Sequence, residues 1–280
     1  MINDFSTMNF SSRFKKVFDY LMSQIFSLWL ARRRRGKGAF LPMAILTPDT
    51  IGDAIVVKGR YELQELQALF GWLQAECPCC LDGIALDVGA NVGNHTLFFS
   101  RYFPRVISFE PNPRLFKLLE YNTSDLKDVE IRNVGLSDQS VRLFLSVPRN
   151  NSGGGTVTES PGKLPIILEK LDCQGLENKK VTLIKIDIEG HELKALKGGR
   201  GLIECHKPII IIEQNESEFS DGKSQSLDWL KQLGYTEFYT VEKVGLPILR
   251  KLTRMRVERK TRFKTKSYPM IIALPRKPKK

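Results

Sequence analysis

The sequence predicts an α/β domain: a seven-stranded, mostly parallel sheet with its last strand antiparallel and helices on both faces. Three observations predict it. Short apolar runs of strand length alternate with segments of helical spacing between residues 84 and 274. The first run ends in a glycine-bearing loop, Asp87-Val88-Gly89-Ala90-Asn91-Val92-Gly93-Asn94, which opens onto a helical segment. The last two runs, 235–241 and 268–274, lack a helix of ordinary length and pattern between them, which implies antiparallel pairing.

With 280 residues, 42% of them hydrophobic, the chain can bury one large core and does not read as disordered. Near its start Phe14, Val17, Phe18, Leu21, Ile25 and Leu28 share one helical stripe, with Arg13, Lys15 and Lys16 before it and four arginines at 32–35 after it. That pattern predicts a basic amphipathic helix, packing either on protein or on a membrane surface. Asp19, Ser23, Gln24 and Ser27 leave the apolar run too short and too polar for a span, and no small-residue cleavage site follows it. Residues 1–40 are therefore expected to form an appended segment, and residues 41–280 the main domain.

Leu63, Leu66, Leu69, Phe70 and Leu73 have helical spacing, which predicts a sheet-covering helix over 61–76. Strands are expected at 84–88, 106–110, 129–134, 181–187, 208–213, 235–241 and 268–274, with helix from 96 to 102 after the loop. The runs 141–147 and 164–168 form an extra pairing on either side of a flexible 150–155 loop, a candidate lid. Residues 243–266 form a basic insert between the last two strands, placed by the topology at the sheet's carboxyl edge and so near any site there. Residues 275–280 read as a basic, solvated tail.

The formal charge of +12 is unevenly spread: residues 1–40 carry +6, residues 250–280 carry +12, and residues 41–249 sum to −6. Cationic ends on a mildly acidic body favour an anionic surface or substrate over a uniformly basic nucleic-acid binder. The five cysteines, Cys77, Cys79, Cys80, Cys173 and Cys205, are odd in number and lack a second pair at metal-ligand spacing. Reduced thiols and a cytoplasmic chain are expected, with peripheral contact at the inner membrane face as a variant of that expectation.

The glycine loop and its surroundings carry the chemistry. Gly89 and Gly93 let the backbone approach a ligand, and Glu110 ends the second strand 21 positions after Gly89, where a carboxylate can bond both hydroxyls of a ribose. A dinucleotide fingerprint needs glycine at 91 and 94, which are Asn91 and Asn94, and no Gly-Lys-Ser/Thr follows. The acid Asp87 disfavours a pyrophosphate and favours a ligand with a positive amino group, as in S-adenosylmethionine. Taken singly, Asp87 also reads as an ordinary helix N-terminal acid.

The segments 86–93 (LDVGANVG), 109–113 (FEPNP) and 184–192 (IKIDIEGHE), in that order and spacing, resemble the FkbM family of S-adenosylmethionine-dependent methyltransferases. The resemblance extends to Asn133-Val134-Gly135-Leu136-Ser137-Asp138 and Ser152-Gly153-Gly154-Gly155, and covers about residues 84–215. It implies a Rossmann-like methyltransferase sheet. It also implies Asp87, Gly89, Asn91 and Gly93 around the methionine part of S-adenosylmethionine, Glu110 on the ribose and Asp138 near the adenine amine. Family members mostly methylate hydroxyls of sugars or natural products, so the resemblance implies an O-methyltransferase.

The carboxyl end of the fourth strand offers Asp187, Glu189 and His191 as catalytic candidates, with Glu192 and Glu213 nearby. Asp187 and Glu189 alternate along an extended segment, so only one is expected to face the pocket unless the chain turns at Gly190. His191 has the residue type for a base near neutrality, yet it also reads as a plain helix-start residue. Their spacing does not show a metal site, and no metal ligand is assigned. The expected acceptor is a small molecule or glycan, acidic or lipid-linked in one reading. Competing readings are an RNA ribose methyltransferase and a non-catalytic, membrane-associated S-adenosylmethionine-binding module. The absence of an Asn/Asp-Pro-Pro-aromatic turn after 186 disfavours base methylation.

Overall fold

The computed structural model describes residues 12–34, 43–148, 151, 153–160, 164–245 and 254–276. Its helices are α1 (Ser12–Arg34), α2 (Thr50–Lys58), α3 (Leu63–Glu76), α4 (Asn94–Phe99), α5 (Pro113–Thr123), α6 (Glu192–Gly198), α7 (Arg200–His206) and α8 (Gln225–Gln232). The first strands are β1 (Ile84–Val88), β2 (Arg105–Phe109), β3 (Val129–Arg132), β4 (Gly135–Leu136), β5 (Val141–Ser146), β6 (Thr156–Thr158) and β7 (Leu164–Glu169). They are followed by β8 (Val181–Ile186), β9 (Ile209–Gln214), β10 (Phe219–Ser220), β11 (Lys223–Ser224), β12 (Tyr235–Val244), β13 (Arg254–Lys260) and β14 (Tyr268–Pro275).

The main sheet has eight strands in the order β13-β12-β14-β9-β8-β1-β2-β3. β1 pairs in parallel with both β2 and β8, so chain order reverses beside it, and that reversal opens the crevice where α/β sheets bind ligands. The sheet alternates its apolar residues between two cores. Leu86, Val88, Ile107, Ile184, Ile186, Ile210 and Ile212 pack on one face with Leu196, Ile203, Leu227 and Leu230 of α6–α8. Ala85, Val106, Leu183, Ile209 and Ile211 face the other side and meet Leu66, Leu69, Phe70 and Leu73 of α3 with Phe98 and Phe99 of α4. Helices on both faces were expected, and the strict period of two along these strands is the reason.

Two features differ from the sequence reading. The sheet holds eight strands because β13, inside the expected insert, pairs antiparallel with β12 from Phe238↔Lys260 to Val244↔Arg254. Two strands therefore run against the rest, since β14 is antiparallel to both β12 and β9. The described part of the insert also does not border the expected site, because β13 is the edge strand and is separated from β9 by β12 and β14 and from β1 by β8 and β9 as well. Much of its charge is met locally: Lys260 lies 3.0 Å from Glu242 and 3.4 Å from Glu258, and Arg259 lies 3.8 Å from Glu237.

A second sheet, ordered β4-β7-β5-β6, contains the extra antiparallel pairing of β5 with β7 and has its own core of Leu145, Ile166 and Leu168. Residues 150 and 152 of the candidate lid, 246–253 of the insert and the tail from 277 lie outside the described residues. All five cysteines are free. Among the described residues no helix is long and apolar enough to cross a membrane.

Phe70 joins α3 to the helix after the glycine loop, with ring centroids 5.2 Å from Phe98, 5.5 Å from Phe99 and 4.4 Å from Tyr102. Phe70→Ala should therefore lower unfolding free energy by about 3–5 kcal/mol. Urea denaturation of parent and variant checks this, and a loss under about 1 kcal/mol would mean that α3 contributes little to the core.

Candidate functional site

A cavity opens at the carboxyl ends of β1, β2, β8 and β9, roofed by the second sheet through Leu145, Val157 and Leu168. Its floor is the loop after β1. Gly89 has φ +80°, and a Cβ there would stand 1.9 Å from the Asp187 carbonyl oxygen, so the loop after β1 lies directly on the end of β8. Only glycine permits both the left-handed backbone and that approach. Asn91, at φ +53°, donates its N–H to Glu110 Oε2 at 2.8 Å, and Asn112 N–H donates to Glu110 Oε1 at 2.8 Å. Glu110 thus ties together the loops after β1 and β2. Burial pushes its carboxyl up to about 7, against the pull of those two amides and of Lys185.

Lys185 is buried beneath this floor. Its Nζ lies 3.0 Å from Asp187 Oδ2 and 3.4 Å from Asp87 Oδ1, and it donates to the Gly89 carbonyl at 3.3 Å. Burial alone would depress the ammonium, but Asp187 and Asp87 outweigh it and hold the charge well above the ordinary lysine range. Asp187 responds in the opposite sense: burial would raise it, but Lys185 and a hydrogen bond from Glu213 bring it down to about 2. Glu213 is pushed up to about 10 by burial, then by its hydrogen bond to Asp187 and the charges of Asp187 and Glu189. The two carboxyls share one proton at neutral pH, and Glu213 carries it.

The chain does turn after Asp187. Glu189 and Gly190 adopt φ +51° and +85°, so Asp187, Ile188 and Glu189 all reach the cavity. The alternation expected for a continued strand fails for that reason. Glu192 Oε1 accepts the N–H groups of Ile188 and Gly190, each at 3.1 Å, and fixes the turn. Glu189 accepts from Asn215 Nδ2 at 3.1 Å, and its carboxyl is raised by burial and by Asp187. His191 lines the cavity with Nε2 2.9 Å from Ser137 Oγ, and burial, then Lys194, lowers it below the ordinary histidine value.

Of the residues singled out in the sequence, Gly89, Asn91, Glu110, Asp187, Glu189, His191 and Glu213 border the cavity. Asp87, Gly93 and Asp138 do not. Asp87 is fully buried, accepts from Thr96 Oγ1 at 2.6 Å and faces Lys185, so its charge is taken up by an internal pair beneath the cavity. Gly93, at φ +90°, sits at the start of α4 against Leu119. Asp138 accepts from Ser137 Oγ at 3.2 Å and reaches the cavity only through Ser137 and His191.

The structure adds a group that the sequence reading missed. Asn94 clamps Tyr61 by accepting from its N–H at 3.1 Å and donating to its carbonyl at 3.0 Å. That clamp presents Tyr61 and Glu62 to the cavity, with Glu62 in the left-handed region at φ +52°. Glu62 Oε2 lies 3.2 Å from His95 Nε2, without hydrogen-bond alignment. Burial, then the charges of Glu62, Glu213 and Asp187, raises the Tyr61 phenol, which places all four groups in one field. Among the described residues no set of three His, Cys, Asp or Glu is arranged to hold a metal ion.

Residues 87–237 match the model of the methyltransferase FkbM domain, just over half of the chain and the stretch that builds most of this cavity. The chain belongs to the FkbM methyltransferases. The donor of this family is S-adenosylmethionine, and the residues present fit it: Gly89, whose missing Cβ lets the loop close on the end of β8, and a buried carboxylate, Glu110, at the cavity border. A similar relative is the hexuronic acid methyltransferase AglP of Haloferax volcanii, 29% identical over 133 residues, 46% of this chain and 55% of that protein. Another is the methyltransferase sdnD of Sordaria araneosa, 26% identical over 186 residues, 49% of this chain and 71% of that one. A solved FkbM methyltransferase from Methylobacillus flagellatus KT is 19% identical with a TM-score of 0.41, covering 69% of this chain and 44% of its own. The match thus spans about half the length of AglP and less than half of that solved chain.

The shared proton predicts a pH dependence of stability. With a folded-state value of about 10 against an ordinary 4.5, Glu213 keeps a proton that the unfolded chain releases. Its contribution is therefore complete below the ordinary value and declines as pH rises towards the folded one. Asp187 acts outside that window, because its stabilisation is lost only as pH falls from 3.8 towards 2. Glu213→Gln should flatten the fall in unfolding free energy between pH 6 and 9, leaving the smaller slope from Glu110 and Glu192, which are raised to about 7 and about 8. Urea titrations at the two pH values measure it; an unchanged slope would place the proton elsewhere.

Proposed function

We propose that this FkbM methyltransferase transfers the methyl group of S-adenosylmethionine to a hydroxyl of an uncharged sugar, glycan or natural-product acceptor. The carrying observation is the composition of the cavity wall. Glu110 and the Gly89 loop form a donor side, and Asp187, Glu189, Glu213, Glu62 and His95 form an adjoining polar side. When bound, S-adenosylmethionine supplies an electrophilic methyl group, and the protein's remaining tasks are to hold the donor, aim the acceptor oxygen and take its proton.

Glu110 holds the ribose. Asp187, kept ionised by Lys185, accepts a hydrogen bond from the acceptor hydroxyl and stabilises the positive charge that grows on its oxygen during transfer. At about 2 its carboxylate is a weak proton acceptor. The proton therefore goes to an imidazole, and His95 is the better placed, since Glu62 stands 3.2 Å away to stabilise the imidazolium. His191, held on Ser137 next to Asp138, belongs on this reading with the adenine end, and Glu189 with acceptor orientation. Asp87 and Asp138 act through Lys185 and through Ser137.

The wall also bears on acceptor charge. Its described carboxyl groups are Glu62, Glu110, Asp187, Glu189 and Glu213, and its cation, Lys185, is already shared by Asp87 and Asp187. With Glu213 protonated and Lys185 already paired, such a wall accepts hydrogen bonds from hydroxyls and offers a carboxylate or phosphate no free counter-charge among the described residues. The sugar class is suggested by the relative AglP, while that protein's acidic substrate is not carried over. An RNA ribose acceptor fares worse still, because each neighbouring phosphate would meet the same wall.

Two expected outcomes test this reading. Glu110→Gln should weaken S-adenosylmethionine by about 1.5–3 kcal/mol, and the parent's affinity should rise from pH 6 to pH 8 as Glu110, at about 7, ionises, while the variant's should not. Calorimetry at both pH values reads this, and equal binding by parent and variant would remove Glu110 from the ribose. Asp187→Asn should cut transfer of labelled methyl by about 100-fold or more with donor affinity nearly unchanged. The assay is label uptake from S-adenosylmethionine into neutral glycan, acidic glycan, lipid and RNA fractions of the host. Label entering the acidic glycan or the RNA instead of the neutral fraction would sink the proposed acceptor class.

A further inference from the structure

The charge that the cavity lacks is gathered around α1, which presents a surface of another kind. Every described side chain of α1, Lys15 and residues 17–28, is exposed. Eight of them are large hydrophobics: Val17 at 55%, Phe18 at 54%, Leu21 at 52%, Met22 at 49%, Ile25 at 60% and Leu28 at 70%, with Tyr20 at 64% and Phe26 at 49%. Wound at helical pitch, the first six share one arc, and Tyr20 and Phe26 stand on the remaining one with Asp19, Ser23 and Ser27. A contiguous apolar arc of this size left in water marks a surface that something covers.

The charges around the arc say what covers it. Arg13, Lys15 and Lys16 precede the stripe and Arg32, Arg33, Arg34, Arg35 and Lys37 follow it, so residues 1–40 carry +6. An anionic lipid surface satisfies both features at once, because the arc sinks to the headgroup–acyl boundary while the cations at either end meet lipid headgroups. A second copy of α1 satisfies only one. Whether paired parallel or antiparallel, it brings basic clusters against basic clusters with one acid, Asp19, per helix to relieve them. The helix is also unsuited to crossing the bilayer.

We propose that α1 docks the protein on an anionic bilayer surface and lies in the plane of the interface. This stands independently of the methyl-transfer reading and places the enzyme beside membrane-borne acceptors. It is tested with the full chain and vesicles of phosphatidylcholine, with and without phosphatidylglycerol, in a flotation assay. The protein should float with the anionic vesicles and bind pure phosphatidylcholine at least about tenfold more weakly, and added salt should narrow the gap. Phe18→Ser, Leu21→Ser and Ile25→Ser combined should abolish flotation while S-adenosylmethionine binding and thermal unfolding stay as in the parent. Arg254→Ser, Arg256→Ser, Arg259→Ser and Arg262→Ser combined, on and just after β13, should float as the parent does. The proposal falls if the parent stays unbound, if the α1 variant still floats, or if the β13 variant alone is lost from vesicles. It falls equally if sedimentation shows the parent dimeric, the α1 variant monomeric and neither on vesicles, since the arc would then be covered by a second copy.

Discussion

The burial of one lysine organises the site. An ammonium taken out of water is tolerable only with opposite charge against it, and Lys185 has two such partners, Asp87 at the end of β1 and Asp187 just past the end of β8. The first consequence is mechanical: the neighbouring strands β1 and β8 are locked in register at their carboxyl ends, and the Gly89 loop is pulled onto them by the bond to its carbonyl. The second is electrostatic. With Lys185 beside it Asp187 keeps its charge, so the proton that two crowded carboxyls must share resides on Glu213. The third concerns Asp87, which is spent on the lysine and Thr96 and so leaves the cavity wall.

Most of the architecture was legible because burial leaves a periodic trace. The apolar runs of β1, β2, β8, β9, β12 and β14 and the Leu63–Leu73 spacing of α3 each record a face pressed into a core. β13 was not legible, although Met255 and Val257 do alternate with charged residues. Its cations dominate the composition, and a row of Arg and Lys reads as a solvated loop. Charged side chains are also what keeps an exposed sheet edge from pairing with another chain, so the feature that hid the strand suits its position.

In the site, residue types were legible and directions were not. Gly89, Asn91, Glu110, Asp187, Glu189 and His191 were all found from motif and spacing, because a backbone that must approach a ligand and a strand end that must carry an acid constrain local sequence. Whether an acid faces the ligand or an internal lysine depends on a partner far along the chain. Asp87 and Lys185 illustrate it, and no local pattern links them. The direction of Glu189 hung on a turn at Gly190 for a related reason: that left-handed turn is held by Glu192, whose side-chain bonds to the turn amides are invisible as periodicity. Tyr61, Glu62 and His95 carry no motif either, and only the clamp from Asn94 brings the first two against the third.

The distribution of charge in the molecule then has a single logic. Net charge of +12 suggests an enzyme for acidic substrates, but the cations sit on residues 1–40 and 250–280, while the described cavity wall is rich in carboxyl groups. Coulomb forces act over about 8 Å at physiological salt, so a basic edge strand separated from β9, the nearest strand of the cavity, by β12 and β14 does little for a ligand there. Long-range attraction to an anionic surface and short-range recognition of hydroxyls can therefore coexist in one chain without opposing each other. On the proposed readings, the basic amino-terminal helix governs where the enzyme resides, and the buried lysine with its carboxylates governs what it can hold.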